Sequence, residues 1–247
     1  MYEFYENRRT IQAHEVDFTN RLRLDSLFML LQDIAAEHAD KLNLGYSALI
    51  EHSLGWVLSW AKVIITSFPE FGEEIRIRTW PKKKYKLYSL RDFYIYNSND
   101  RVIIKATTAW LPLNIKTKRI IDTSSLPAPI NYQESESAID ELPHKVTNRE
   151  NNKLIFTKHM RYTDLDLNQH VNNIRYIELI MDSFPKEHYE IFQPQSISVN
   201  FVSESGYNDE IEIYKSDDSS AGRDSIVSIN KSSSKIVFHS VIEWKEV

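Results

Sequence analysis

The chain has 247 residues and carries 30 Lys and Arg against 35 Asp and Glu, a formal net charge of −5, which does not suit a general polyanion binder. It has no cysteine, which removes thiol nucleophiles, disulfides, Cys-ligated zinc and iron–sulfur clusters. Its five glycines (Gly45, Gly55, Gly72, Gly206 and Gly222) are not spaced as either common nucleotide-phosphate loop.

In chain order, the first predicted element is a helix over residues 25–42. Leu27, Leu30, Leu31, Ile34, Ala35 and His38 recur there at three- and four-residue steps, and Asp25 or Ser26 is placed to cap it. Strands follow at 56–66, 74–80, 88–96 and 102–113. The third and fourth flank the turn Asn97-Ser98-Asn99-Asp100. Between residues 122 and 152 periodicity is lost among Pro127, Pro129 and Pro143, which reads as a linker or surface crossover. A second helix is predicted over 171–184, stopping at Pro185, with Val171, Ile174, Ile177, Ile180, Met181 and Phe184 as its buried stripe. Four more strands are predicted at 196–202, 210–214, 224–230 and 236–244.

The two halves read as copies. Val16-Asp17-Phe18-Thr19 matches Met160-Arg161-Tyr162-Thr163, 144 residues later. Gly72-Glu73-Glu74-Ile75-Arg76-Ile77 matches Asn208-Asp209-Glu210-Ile211-Glu212-Ile213, 136 residues later. The expected division is 1–125 for the first copy, 126–152 for the linker and 153–247 for the second copy. A helix with one apolar stripe on an antiparallel sheet is the two-layer solution for each copy, an α+β fold.

The densest polar cluster runs from Asp164 to Asn173. Asp166, Asn168 and His170 sit at alternate positions, which in an extended segment point the same way. His170 then precedes a helix whose first backbone N–H groups, at Val171 and Asn172, are placed to stabilise an oxyanion. The stretch therefore supplies a base, an orienting amide and a carboxylate. An EF-hand reading fails, because Gln169 and Arg175 stand where that loop needs Gly and Glu. At the first offset, the counterparts of Asp166, Asn168 and His170 are Leu22, Leu24 and Ser26. A second polar island, Asn200 to Gly206, offers Glu204 at a strand end as a partner for His170; its counterpart is Phe68.

The stretch DLDLNQHVNNIRY, residues 164–176, resembles the signature of the acyl-acyl carrier protein thioesterases, the plant type and its bacterial relatives. Residues 30–39, 56–81 and 109–111 resemble the family's first half. The resemblance implies a double hotdog fold, two tandem repeats each with a long helix wrapped by an antiparallel sheet. It implies hydrolysis of fatty acyl-acyl carrier protein to free fatty acid, with Asp166, Asn168, His170 and Glu204 as the catalytic set. No cofactor or metal is implied. Plant members commonly carry a cysteine after the glutamate; here Ser205 stands there, without the G-x-S-x-G of a nucleophile elbow.

An acyl chain needs an apolar slot, and the first copy, without the polar set of the second and rich in Leu27, Phe28, Met29, Leu31, Trp56, Leu58 and Trp60, is its expected place. The implied partner is acyl carrier protein, which is acidic. The clusters Lys82-Lys83-Lys84-Tyr85-Lys86 and Lys116, Lys118 and Arg119 are its candidate docking sites. No nucleic-acid partner is expected, and a homodimer is compatible with the reading. No run of about 18 apolar residues occurs, so no membrane span is expected. The start MYEFYENRR lacks signal-peptide character, which points to a bacterial cytoplasm. An acyl-CoA thioesterase of the same fold is the rival enzyme, and a non-catalytic acyl sensor the rival of another class.

Overall fold

The computed structural model describes residues 4–145, 152–216 and 222–247. Two compact units divide the chain: the first takes the residues up to Pro143 except Leu24–Phe28, and the second takes Leu24–Phe28 with the residues from His144 on.

The first unit contains β1 (Tyr5–Thr10), α1 (Leu24–Lys41) from Met29 on, α2 (Tyr46–Glu51), β2 (Leu54–Ile65), β3 (Glu74–Tyr85), β4 (Tyr88–Tyr96), β5 (Val102–Asn114) and the short β6 (Arg119–Ile120). Its strands pair antiparallel in the order β1-β3-β4-β5-β2, with β6 on the end of β5. The second unit contains β7 (Asn152–His159), α3 (Asn173–Met181), α4 (His188–Ile191), β8 (Phe192–Phe201), β9 (Glu210–Ser216), β10 (Arg223–Asn230) and β11 (Lys235–Glu246). Its order is β7-β9-β10-β11-β8, the same topology strand for strand. These are the two α+β hotdog repeats.

From Met29 on, α1 belongs with the first sheet, and α3 packs against the second. In α1 the stripe Leu27, Leu30, Leu31 and Ile34 is buried, as its 3.6-residue period requires. His38 continues the stripe and is fully buried. Its Nδ1 lies 3.0 Å from Arg91 Nη1 on β4, and because a guanidinium only donates, Nδ1 is the acceptor. No side chain caps α1: Arg23 takes the N-cap position, so Asp25 and Ser26 fall inside the first turn. In α3 the Tyr176 ring packs against Phe201 of β8 and Phe238 of β11. This helix is shorter than predicted. Val171 is engaged in a bridge with Leu165, and the Asn172 side chain accepts from Ile174 N at 3.0 Å, starting the helix at Asn173.

Strand β3 outruns its apolar alternation by five residues, and a buried ion pair explains why. The register skips Lys82, a bulge that turns its ammonium toward Asp92 on β4 at 3.2 Å. Both side chains are nearly inaccessible to solvent. Asp92 also accepts from Thr107 Oγ1 and from Ala138 N, each at 2.6 Å, while Lys82 donates to the Ile139 carbonyl. The Pro-rich segment after β6 is thereby tied along the sheet. Gln133 N donates to Pro81 O, Trp80 Nε1 to Glu136 O and Tyr94 Oη to Ser137 O. Residues 146–151, the end of the expected linker, lie outside the described residues.

The two copies superpose by hydrogen bonds, and their offsets correct the sequence alignment ahead of the helix. Leu22 N donates to Pro69 O as Val171 N donates to Ser205 O, and Ile11 N donates to Glu73 O as Met160 N donates to Asp209 O. The offset is therefore 149 before the helix and 136 after it. The expected 144 is wrong, and Leu22, Leu24 and Ser26 are not the counterparts of Asp166, Asn168 and His170. Those counterparts are Asp17, Thr19 and Arg21; Phe68 stands opposite Glu204, as the second offset requires.

Candidate active site

The polar cluster is a closed loop, which corrects the expectation of an extended segment. A single turn of 3-10 helix, Tyr162–Asp164, leads into it, closed by Asp164 Oδ2 accepting from Arg161 N at 2.7 Å. Leu165 and Val171 then form an isolated antiparallel bridge. Inside it, Asp166 Oδ1 accepts from the backbone N–H groups of Asn168 (2.8 Å) and His170 (3.2 Å). Asp166 N donates to His170 O, and Gln169 N to Asp166 O. Gln169 takes the left-handed conformation at φ 64° that so tight a loop demands. An aspartate folding its carboxylate onto amides two and four residues ahead is the Asx-turn chemistry of this residue type.

The predicted residues therefore separate by role. Asp166 faces its own loop backbone, and Asn168 is exposed on the loop. His170 reaches outward, and its Nε2 lies 3.3 Å from Glu204 Oε2. The imidazole is 29% and the carboxylate 48% exposed, so the pair is open to solvent on one side.

Glu204 does not end a strand. Strand β8 stops at Phe201, and Glu204 sits in the connection to β9. That connection is held at both ends. Val202 N and Ser203 N donate to Val237 O, Ser203 Oγ donates to Ile236 O at 2.6 Å, and Gly206 N donates to Asp209 Oδ2 at 2.8 Å. Val171 N donates to Ser205 O at 2.8 Å, which ties the connection to the His170 loop.

The expected oxyanion donors are otherwise engaged. Val171 N is bound to Ser205 O, and Asn172 N donates to Asp164 O at 2.9 Å. Ser205 is 3% exposed, and its hydroxyl has no hydrogen-bond partner, so no base activates it as a nucleophile. Among the described residues, no cluster of three or more His, Asp or Glu side chains gathers as a metal-ligand set.

The first copy builds the same loop without the same pair. Asp17 Oδ1 accepts from Thr19 N at 2.8 Å and Arg21 N at 3.3 Å, Val16 bridges Leu22, and Asn20 takes φ 64°. At the two positions that meet in the second copy, the first carries Arg21 and Phe68.

Sequence reasoning passed over Tyr176. The predicted stripe of the second helix omits it, yet it is 2% exposed with its hydroxyl inside the unit. Its position, two after Ile174 and three before Leu179, was the available signal.

Two family models match the chain: the acyl-ACP thioesterase N-terminal domain over residues 3–125 and the C-terminal domain over residues 147–246. A chloroplastic acyl-[acyl-carrier-protein] hydrolase of Cuphea viscosissima is 26% identical over 220 residues, 82% of this chain and 52% of that protein. The chain thus spans about half the length of the curated relatives it matches. A solved acyl-ACP thioesterase from Bacteroides thetaiotaomicron superposes with a TM-score of 0.90 at 27% identity, covering 98% of each chain. The 12:0-ACP thioesterase from Umbellularia californica shares the fold, with a TM-score of 0.80 at 16% identity over 100% of this chain and 99% of that one.

Proposed function

The chain belongs to the acyl-ACP thioesterase family, and from that membership we propose that it hydrolyses the thioester of fatty acyl-acyl carrier protein, releasing free fatty acid. The observation that carries the reading is the 3.3 Å approach of His170 Nε2 to Glu204 Oε2. Such a pair positions a water and removes its proton as the oxygen attacks the thioester carbonyl. The tetrahedral intermediate then expels the pantetheine sulfur. The proton taken from water passes to that sulfur, so a carboxylic acid and a thiol leave.

Asn168, whose side chain is exposed on the loop, serves as donor to the carbonyl oxygen or the water. Asp166 acts through the loop, setting the backbone from which His170 projects. The Val171 and Asn172 amides have no part in this scheme, being bound elsewhere.

The first copy, 1–125, is assigned the acyl chain, the 126–152 segment the linker, and the second copy, 153–247, the chemistry. Support for this is the loss of the His–Glu pair from the first copy, where Arg21 and Phe68 replace it. Leu31, Leu58 and Trp60 are buried there, whereas Leu27 and Phe28 are buried but group with the second unit, and Met29 is 44% exposed and drops from the expected lining. Each buried CH₂ is worth about 0.8 kcal/mol, so a closed apolar end selects chain length.

Docking of the acidic carrier protein falls to Lys86, Lys116, Lys118 and Arg119, all exposed. Lys82 drops out, because it is buried against Asp92, and Lys84 is engaged with Asp122 at 2.6 Å. A bacterial cytoplasmic setting belongs to the same reading, supported by the near-complete match to the bacterial enzyme. Among the described residues, no helix is long and apolar enough to cross a membrane.

The test is fatty acid release from acyl carrier protein loaded with C8 to C18 chains, with matching acyl-CoAs alongside. Preference for carrier-protein substrates supports the proposal and reads out chain length. Turnover of CoA esters alone replaces it with an acyl-CoA thioesterase. Binding without turnover of either sinks the enzyme reading.

A further inference from the structure

A cation inside the first unit has no charge to answer it. Arg91 on β4 faces α1, where its Nη1 lies 3.0 Å from His38 Nδ1, and the same nitrogen donates to Thr79 Oγ1 at 3.2 Å. His38 and Thr79 are both 0% exposed, and each meets the guanidinium with a neutral acceptor. The Thr79 hydroxyl donates in turn to Asp92 O at 3.0 Å. Thr108, opposite Arg91 on β5, is engaged as well, its hydroxyl accepting from Trp110 Nε1 at 2.8 Å. A guanidinium has five N–H donors, of which Nη1 carries two. Its Nε–Nη2 edge, with the other three, bonds to no group among the described residues, and no carboxylate there pairs with Arg91. The residue is only partly buried, so that edge is not sealed off. Burial still lowers the guanidinium to about 10, and no acid draws it back up.

The second copy solves the same place differently. With Glu74 and Glu210 in register, Thr79 corresponds to Lys215. Their cross-strand partners are Phe93 and Ile226, so Arg91, two residues before Phe93, corresponds to Asp224. There the acid accepts from Trp244 Nε1 at 2.9 Å and lies 3.8 Å from Lys215 Nζ. The second copy thus neutralises its charge internally, whereas the first sets a cation between a threonine and a histidine. A charge withdrawn from water without a counter-charge is destabilising, so its retention asks for a ligand.

The chemistry of the edge and of its walls names the ligand class. Nε–H and one Nη2–H run parallel, the spacing that receives both oxygens of a carboxylate. The surroundings are apolar. Phe93 follows Arg91 on the same face of β4 and is 1% exposed, Ala61 across from Thr108 is 0% exposed, and Leu31 and Ile34 precede His38 on the α1 stripe at 2% and 3%. We propose that Arg91 is a carboxylate-binding residue inside the first unit, taking a free fatty acid by its head group with the chain along these apolar side chains. A fatty acid is the product of the proposed reaction, and one seated there occupies the copy assigned to the acyl chain. The site is therefore also a point of product inhibition. The inhibition rests on the functional reading above; the binding does not.

The test is titration calorimetry with dodecanoate, methyl dodecanoate and acetate on the parent, Arg91→Met, Arg91→Lys and His170→Ala, each full-length. Dodecanoate is expected to bind the parent and His170→Ala alike. Methyl dodecanoate, without the charge, and acetate, without the chain, are each expected to bind at least about tenfold more weakly. Arg91→Met is expected to lose at least about tenfold in dodecanoate affinity. Arg91→Lys is expected to fall between, since an ammonium keeps the charge without the two-pronged edge. Equal dodecanoate affinity in the parent and Arg91→Met overturns the proposal. So does a loss confined to His170→Ala, which puts the head group at the reacting pair, and so does acetate binding as tightly as dodecanoate, which leaves a small-anion site only. Should Arg91→Met fail to fold, Arg91→Lys decides. In turnover of a carrier-protein thioester, dodecanoate is expected to inhibit the parent about tenfold more strongly than Arg91→Met, and equal inhibition removes the regulatory half. If dodecanoate binds through Arg91 and no thioester is turned over, the reading of the reaction fails and the fatty acid site stands.

Discussion

Asp17 and Asp166 occupy one position in two copies of the same loop. Each carboxylate accepts two backbone amides, from Thr19 and Arg21 in the first copy and from Asn168 and His170 in the second. An aspartate that recurs where no His–Glu pair exists is explained by the loop and not by the chemistry. Hydrogen bonds to a charged acceptor contribute about 1.5–3 kcal/mol, less where the group is half-exposed. Asp17→Ala is therefore expected to lower stability by about 1–2 kcal/mol and leave kcat within twofold. Asp166→Ala is expected to cost similar stability and at least about tenfold in kcat, because His170 loses its seat. Urea melts paired with steady-state kinetics read both, and equal loss of activity in the two variants would contradict this division.

His170→Ala and Glu204→Gln are each expected to lower kcat by about 10²–10⁴, the range for removal of a general base. Arg21→Ala, at the matching place in the first copy, is expected to keep kcat within twofold. A His170→Ala enzyme of near full rate would remove the assignment.

The Lys82–Asp92 pair is closed from solvent and holds the segment around Ala138 and Ile139. Burial pushes the Asp92 carboxyl up, and bonds from Thr107, Ala138 N and Lys82 pull it back. Breaking a buried pair by removing one partner strands the other charge and costs about 3–5 kcal/mol. Lys82→Met is expected to show that loss in chemical denaturation. Lys82→Met with Asp92→Leu is expected to recover part of it, the remainder reflecting the Ala138 amide left without an acceptor. A Lys82→Met chain as stable as the parent would show that the pair contributes nothing.

His188 sits among Phe184, Phe192 and Trp244, with ring centroids 5.0, 5.0 and 4.3 Å away, and burial lowers its pKa. The folded chain thus takes up this proton less readily than the unfolded chain. The contribution is complete above the ordinary histidine value of about 6.5 and is lost as pH falls from there through the lowered value. Tm is expected to fall between pH 7.5 and 5.5, and His188→Phe is expected to shrink that fall. An unchanged pH dependence in His188→Phe would assign it to other groups, His239 among them, whose pKa burial also lowers.

Several elements were legible from one dimension alone. Alternation at Ile75, Ile77 and Thr79 marks β3, and the predicted 88–96 strand coincides with β4. The 136-residue match of the strand starts at Glu74 and Glu210 is a true register of the repeat. The match at 144 was not, because a three- or four-residue likeness carries no record of which amides bond to which carbonyls.

What the sequence determined by itself is the α+β class, the duplication, the family signature and the polar character of residues 164–173. These follow from periodicity and residue type, which are local properties. Tertiary structure alone decided that Asp166 turns inward on its loop, that the Val171 and Asn172 amides are spent on Ser205 and Asp164, and that Lys82 is buried. It also decided that His170 and Glu204, 34 residues apart, stand 3.3 Å from each other. Each of these depends on a partner distant along the chain, and side-chain period reports which face a residue takes, not what meets it there.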